Sequence, residues 1–238
     1  MTPRRGSGRS KMDIVEAILL RKSVRAYKSD PVPRKLLEDI LETALRAPSW
    51  ANTQPWEFII LGGKKLQRIK EVLTHVWGEV RRPDIPFPVK FPEPYITRQR
   101  NLGKKLLEMQ GIDRGDRKRR REWYIQMTKC FDAPNAIIIS IDSSCYRMDD
   151  FINGWAPISC GFVAMTTALL AIRHGLGTCL EVAPVAYPDI IRKELRIQDS
   201  KLMVLAMAIG YPDWDASVNQ FRSEREPLER MAQWYLDS

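Results

Sequence analysis

The feature that most restricts how this chain can fold is a long apolar stretch, Ile158–Arg173, set between two short apolar runs. The runs, Ala136–Ile141 (AIIISI) and Met203–Ile209 (MVLAMAI), have the length and continuous apolar character of buried strands. The stretch between them is too long for a strand. Gly161, Ala164 and Ala168 recur in it at a spacing that lets another element pack closely, so it reads as a buried helix. Its apolar heart, Cys160–Ile172, is interrupted by Thr166 and Thr167 and falls short of the roughly 20 residues a membrane span needs. Strands alternating with helices predict an α+β or α/β sandwich.

The rest of the chain supplies further layers. Asp13 followed by Glu16 makes a capping-box-like start ahead of Val15, Ile18 and Leu19 at helical spacing. Leu36, Leu37, Ile40, Leu41, Ala44 and Leu45 mark one face of a second helix, entered at Pro33 and ended by Pro48. Trp56–Leu61 reads as a strand with Trp56 in the core, Leu66, Ile69 and Leu73 stripe another helix, and Pro188 starts a short helix through Leu195. Five prolines between Pro83 and Pro94 predict an extended surface loop. Two basic helical runs, 97–110 and 113–131, follow it on either side of Gly111. Residues 81–131 lack the apolar side chains for a core of their own, so they read as an insertion in one domain spanning 12–238.

The net charge of +9 is not spread over this fold. Residues 1–11 (MTPRRGSGRSK) hold four cations and no acid, and 97–121 hold ten cations against Glu108, Asp113 and Asp116, a surplus of seven. The remainder therefore carries −2, which argues against a nucleic-acid partner. Residues 1–11 contain no apolar segment and read as a disordered basic arm, not a signal peptide. Cys130, Cys145, Cys160 and Cys179 show no C-x-x-C spacing, and His75 and His174 are too few to build a metal centre with them. Free thiols predict a cytoplasmic protein. His174, just before Gly175, reads as a helix C-terminal cap.

Chemistry concentrates in Arg21–Trp56, RKSVRAYKSDPVPRKLLEDILETALRAPSWANTQPW. Arg21, Ser23 and Arg25 can grip a phosphate, since guanidinium forks match its oxygens and the hydroxyl adds a donor. The same residues also suit a plain charged helix end. Asn52 and Gln54 carry donors and acceptors that suit the edge of a flat heterocycle, although an asparagine beside proline also suits a simple turn. Phosphate at one end and heterocycle at the other describes a nucleotide-like cofactor.

These residues carry a resemblance. R-K-S-V-R, A-P-S-W-A-N-T-Q-P-W, G-L-G-T-C-L-E at Gly175–Glu181 and A-I-G-Y-P-D at Ala208–Asp213 stand in the order of the FMN-dependent nitroreductase family, which the chain resembles over most of 12–230. The resemblance implies an α+β fold, a mixed sheet flanked by helices, in a homodimer with flavin at the subunit interface. It sets Arg21, Ser23 and Arg25 around the FMN phosphate, with Lys22 where an arginine is more usual. Arg225, two residues before Pro227, matches the family's late phosphate-binding arginine, with Arg222 as a nearby second. Pro48, Ser49, Asn52 and Gln54 belong to the flavin-edge turn. The main chain of Cys179, Leu180 and Glu181 would pass flavin N5, where a backbone N–H favours the reduced ring. Cys179 also invites a nucleophile reading, but no histidine stands at a partner position. Trp50 would wall the substrate pocket. The insertion is expected to cover the site, with Phe87, Phe91, Trp123 and Tyr124 offering flat apolar surface.

The implied function is an FMN-dependent oxidoreductase that takes hydride from NADH or NADPH and reduces small nitroaromatic or quinone-like acceptors by a ping-pong route. The flavin carries the chemistry, so no catalytic side chain and no metal are expected. No membrane or nucleic acid is an expected partner. A reductive dehalogenase or ene-reductase of the same flavin family remains an alternative. From another class, so does a basic non-enzymatic protein that lacks flavin and binds an anionic partner through 97–121.

Overall fold

The computed structural model describes residues 12–88 and 90–236; the basic arm expected at 1–11 lies outside them. Strands β1 (Trp56–Gly62), β2 (Asn135–Asp142), β5 (Gly177–Glu181) and β6 (Lys201–Gly210) form one sheet in the order β1-β2-β6-β5. Each neighbouring pair is antiparallel. The mixed sheet implied by the resemblance is therefore antiparallel in its strands, and its parallel component is a bridge from Ser23 to Thr178 at the β5 edge. A separate hairpin, β3 (Arg147–Met148) with β4 (Phe151–Ile152), follows the short helix α6 (Ser143–Tyr146).

The central strands are apolar on both faces because both faces are covered. Side chains alternate along β2: Ile137, Ile139 and Ile141 enter one core cluster, Ala136 and Ile138 the other. The first cluster lies under α2 (Arg34–Ala44) and α7 (Trp155–Arg173), the second under α3 (Gly63–His75), α5 (Arg117–Thr128) and α8 (Pro188–Leu195). The result is a helix–sheet–helix sandwich, with Trp56 in its core as expected.

Several expectations need correction. Helix α7 begins three residues before Ile158, and at 19 residues with mean hydropathy 1.7 it is long and apolar enough to cross a membrane by length and composition. It is also only half covered. Ala156, Cys160, Val163, Ala164, Thr167, Ala168 and Ala171 form a buried stripe, while Trp155, Ile158, Phe162 and Met165 are exposed on the other side. Helix α1 (Ile14–Leu20) packs beside α7 and exposes Ile14, Val15, Ile18 and Leu19 as well. Asp13 does stand at the N-cap of α1, but its side chain makes no capping bond, so the capping box is not formed. Pro33 is the N-cap of α2 rather than its first residue, and the helix ends at Ala44 with Leu45 as its C-cap, before Pro48.

The insertion is tied to the core at several points. The Asp84 carboxylate accepts from Arg192 Nη2 at 2.5 Å and from the Met203 N–H at 2.8 Å, so the expected surface loop is pinned where it starts. Leu106 of α4 (Tyr95–Met109), Ile112 and Trp123 all enter the second core cluster. Part of the charge run answers groups of the chain itself. Arg119 donates to the Gly111 and Gln110 carbonyls at the end of α4, Arg120 to the Arg114 carbonyl, and Arg121 lies over the Trp77 ring.

Candidate active site

Arg21 caps the C-terminal end of α1, and from there the chain runs extended between β5 and the end of β6. The Val24 N–H donates to the Thr178 carbonyl at 2.9 Å and the Lys28 N–H to the Tyr211 carbonyl at 2.8 Å. This close approach needs glycine at 177, where a Cβ would meet Val24 and lie 2.8 Å from the Pro212 ring. Of R-K-S-V-R only Arg21 is a helix end; the rest is an edge strap that buries Val24.

The cations at this edge crowd one another. Burial lowers the Arg21 pKa most, then the charges of Arg225 and Arg222. Among the described residues none of Arg21, Arg25, Arg222 and Arg225 forms an ion pair with a carboxylate. Arg25 donates to the Ser23 carbonyl at 3.3 Å and lies 5.8 Å from the Phe131 ring centroid. Arg222 donates to the Leu19 carbonyl, and Arg225 to Ser223 Oγ at 2.7 Å. A cluster of guanidiniums without a carboxylate is stabilised by an anion. Lys22 turns away, its ammonium reaching the Asn219 carbonyl and the Trp214 ring.

Asn219, on α9 (Ser217–Gln220), organises the strap and was not legible in the sequence. It is fully buried; its Oδ1 accepts from the Arg25 N–H, and its Nδ2 donates to the Ala26 and Asp213 carbonyls, each at 2.7 Å.

Along β5 the side chains alternate, leaving Leu180 exposed and turning Cys179 and Glu181 inward. Burial, then nearby Glu181, pushes the Cys179 thiol up to about 12 against the pull of Arg25, Ser23 and Arg21. A thiol so held is not a thiolate nucleophile, which removes that reading. Both Glu181 carboxyl oxygens are buried with no hydrogen-bond partner, and burial raises its pKa well above the usual carboxylate range, with Arg25 opposing.

The turn after Pro48 is strained. Ala51, Asn52 and Gln54 all take positive φ, which asparagine tolerates and the other two adopt at a cost. Ser49 Oγ accepts from the Gln54 N–H at 2.9 Å, Gln54 Nε2 reaches Asn52 Oδ1 at 3.3 Å, and the Trp50 N–H reaches Ser159 Oγ on α7 at 3.3 Å. Ser49 is thus a brace for the turn. The Asn52 and Gln54 side chains stand exposed.

Arg21, Ser23, Arg25, Cys179, Glu181, Arg222 and Arg225 therefore gather at the β5 edge. Pro48, Ser49, Asn52 and Gln54 gather separately, beside the start of α7. The aromatic residues do not share one wall. Trp123 is core, its ring 5.4 Å from that of Phe131, and Phe87 packs on the second cluster. Tyr124 and Trp50 are exposed on different elements. Phe91 lines a cleft of about 660 Å³ between α4 and residues 221–230.

Comparison with known proteins gives this geometry a context. The family model described as Nitroreductase family matches residues 18–211. The chain is 30% identical over 214 residues to a chloronitrobenzene nitroreductase of Comamonas testosteroni, covering 88% of this chain and 91% of that one. It is equally identical over 215 residues to a 4-nitrobenzoate reductase of Pseudomonas putida, covering 90% and 92%. The crystal structure of the FMN and NADPH-dependent nitroreductase NfnB from Sphigopyxis sp. strain HMH superposes with a TM-score of 0.87 at 28% identity, covering 95% of this chain and all of that one. With most of its length matched by the family model, and its motifs at one sheet edge and one strained turn, the chain belongs to the Nitroreductase family.

Proposed function

We propose that the protein is an FMN-dependent nitroreductase that draws on NADH or NADPH. The observation that carries this reading is the convergence of Arg21, Arg222 and Arg225 at the β5 edge, where none of them forms an ion pair with a carboxylate among the described residues. The donor set fits a phosphate monoester, and the exposed amides of Asn52 and Gln54 fit the edge of a flat ring. FMN, where bound, would supply two-electron redox chemistry between a nicotinamide donor and a nitroaromatic or quinone-like acceptor. The chain's own task is to bind and orient. Arg21, Ser23, Arg25, Arg222 and Arg225 would hold the phosphate, the Cys179–Glu181 main chain would lie along the ring, and Trp50, exposed in the Asn52 turn, would bound the acceptor's space. Donor and acceptor use one open face in turn, which gives ping-pong kinetics and parallel initial-rate lines.

We also propose a homodimer in which each cofactor is held by two subunits, the arginine cluster from one and the Asn52 turn from the other. In a single chain the two groups lie on separate elements and no hydrogen bond joins them. The exposed apolar stripes of α1 and α7 offer the surface for such a pairing, and so do Leu228 and Met231 of α10 (Leu228–Met231) and Trp234 beyond it. The four free cysteines fit a cytoplasmic setting.

The test is purification with absorbance in the flavin region, followed by turnover with nitro, quinone, halophenol and enone acceptors. A colourless protein that takes up no added FMN defeats the reading. Preference for halophenol or enone over nitro acceptors moves the protein to the dehalogenase or ene-reductase branch.

A further inference from the structure

The Glu181 side chain is a buried acid with no part in the chemistry derived so far. It is 9% exposed, and both carboxyl oxygens are buried without a hydrogen-bond partner among the described residues. Strand β5 sets it there, since alternation turns Cys179 and Glu181 inward while Leu180 faces out. A carboxylate in such a place costs far more than a carboxylic acid unless a cation compensates it. Burial accordingly raises the Glu181 pKa well above the usual carboxylate range, and the charge that opposes burial is Arg25.

Arg25 is half-buried, and its backbone is fixed by the bond from its N–H to Asn219 Oδ1 at 2.7 Å. Among the described residues its guanidinium donates only to the Ser23 carbonyl, at 3.3 Å, and lies 5.8 Å from the Phe131 ring centroid. Most of its N–H donors are therefore open to an anion. The other titratable groups near this pair do not change charge near neutrality. Burial pushes the Cys179 thiol up to about 12 and holds Cys130 well above the ordinary thiol range. Tyr27, whose hydroxyl donates to the Val24 carbonyl at 2.9 Å, is raised by burial as well. Arg21 faces Cys179, while Lys70 and Asp132, 3.8 Å apart, face Cys130.

We propose that Glu181 is a positioning residue that governs the anion site through Arg25. As a neutral acid it leaves the guanidinium to the phosphate of FMN; as a carboxylate it competes for the guanidinium, so anion binding takes up a proton. The sign follows from charge. An anion held by Arg25 cancels the positive field that favours ionised Glu181, so the bound form keeps its proton more tightly. By reciprocity the protonated form keeps the anion more tightly. Affinity is then highest where Glu181 is neutral and falls as pH rises, by at most about tenfold per pH unit for one proton. Buried glutamates titrate as high as about 8–9, which puts the fall in the range from about pH 7 to 9. This role rests on the reading of the arginine cluster as an FMN phosphate site and adds to it the group that sets how firmly the cofactor is held.

The experiment titrates flavin-free protein with FMN, riboflavin and sulfate at pH 7.5 and 9 and constant ionic strength, reading the flavins by fluorescence and sulfate by calorimetry. Sulfate keeps its charge over this range, and the second ionisation of the FMN phosphate, near pH 6, is already complete. Affinity for FMN and for sulfate should fall about threefold or more from pH 7.5 to 9, while that for riboflavin, which has no phosphate, should stay level. Glu181→Gln should hold FMN and sulfate equally well at both pH values. Calorimetry of the wild type in two buffers of unequal ionisation enthalpy should show proton uptake on FMN binding at pH 8, a readout that needs no variant. Level affinity in the wild type, an equal fall in Glu181→Gln, or FMN binding without proton uptake overturns the role of Glu181 and leaves the flavin reading intact. If the protein takes up no FMN yet its sulfate affinity falls with pH in the wild type alone, the role of Glu181 stands and the flavin reading fails.

Discussion

Asn219→Ala is the substitution that most directly tests how the anion site is held. The side chain is fully buried and makes three hydrogen bonds of 2.7 Å, accepting from the Arg25 N–H and donating to the Ala26 and Asp213 carbonyls. Alanine removes all three partners at once. Each bond contributes about 1 kcal/mol net, and a buried group left unpaired costs about 1–3 kcal/mol. Three groups together give a loss of about 3–5 kcal/mol, at the upper end of single substitutions. The same change frees Arg25 from its backbone anchor, so FMN affinity should fall with stability. Urea denaturation of flavin-free wild type and variant at equal protein concentration measures the first effect, and flavin fluorescence titration the second. A midpoint shift worth under about 1 kcal/mol, with FMN affinity unchanged, would refute the idea that Asn219 fastens the strap.

Other outcomes follow from the same geometry. Arg25→Ala should weaken FMN binding about ten- to hundredfold, the loss of one charge-assisted contact of about 1.5–3 kcal/mol, as read by fluorescence titration. Phe162→Asp places a charge in the exposed apolar stripe of α7 and should give a monomer by light scattering at micromolar concentration. The Glu181 carboxyl has its pKa raised by folding, so its contribution to stability is fully present below about 4.5, where the unfolded chain is also protonated, and is lost as pH rises toward the folded value. Glu181→Gln should therefore flatten the fall in melting temperature above pH 5, and an unchanged slope would exclude Glu181 as its source.

The sheet and its covering helices were legible in the sequence for a simple reason. Ala136–Ile141 and Met203–Ile209 are apolar at every position but Ser140, and only strands covered on both faces need that. The arginines proposed for phosphate were legible through their donor chemistry and the resemblance, which sets Arg21, Ser23 and Arg25 around it. Asn219 and the Asp84–Arg192 pair were not. Their partners lie 194 and 108 residues away, and nothing local marks a polar side chain that will be buried by distant backbone.

The insertion shows why composition alone misleads. Ten cations in 97–121 suggest a surface for an anionic partner. In the fold, Arg119 and Arg120 close the α4–α5 turn by bonding carbonyls, Arg121 lies over Trp77, and Trp123 turns inward to pack on Phe131. Charge spent on carbonyls at a helix C-terminus steadies that helix and leaves less for a distant anion. What remains for recognition is narrower than the run implied. Arg98 and Lys105 of α4 face Glu226 and Glu224, beside Arg225. The run's total charge is thus a poor guide to its partner, because Arg98, Lys105 and Arg119 to Arg121 answer carboxylates, carbonyls and a ring of this same chain.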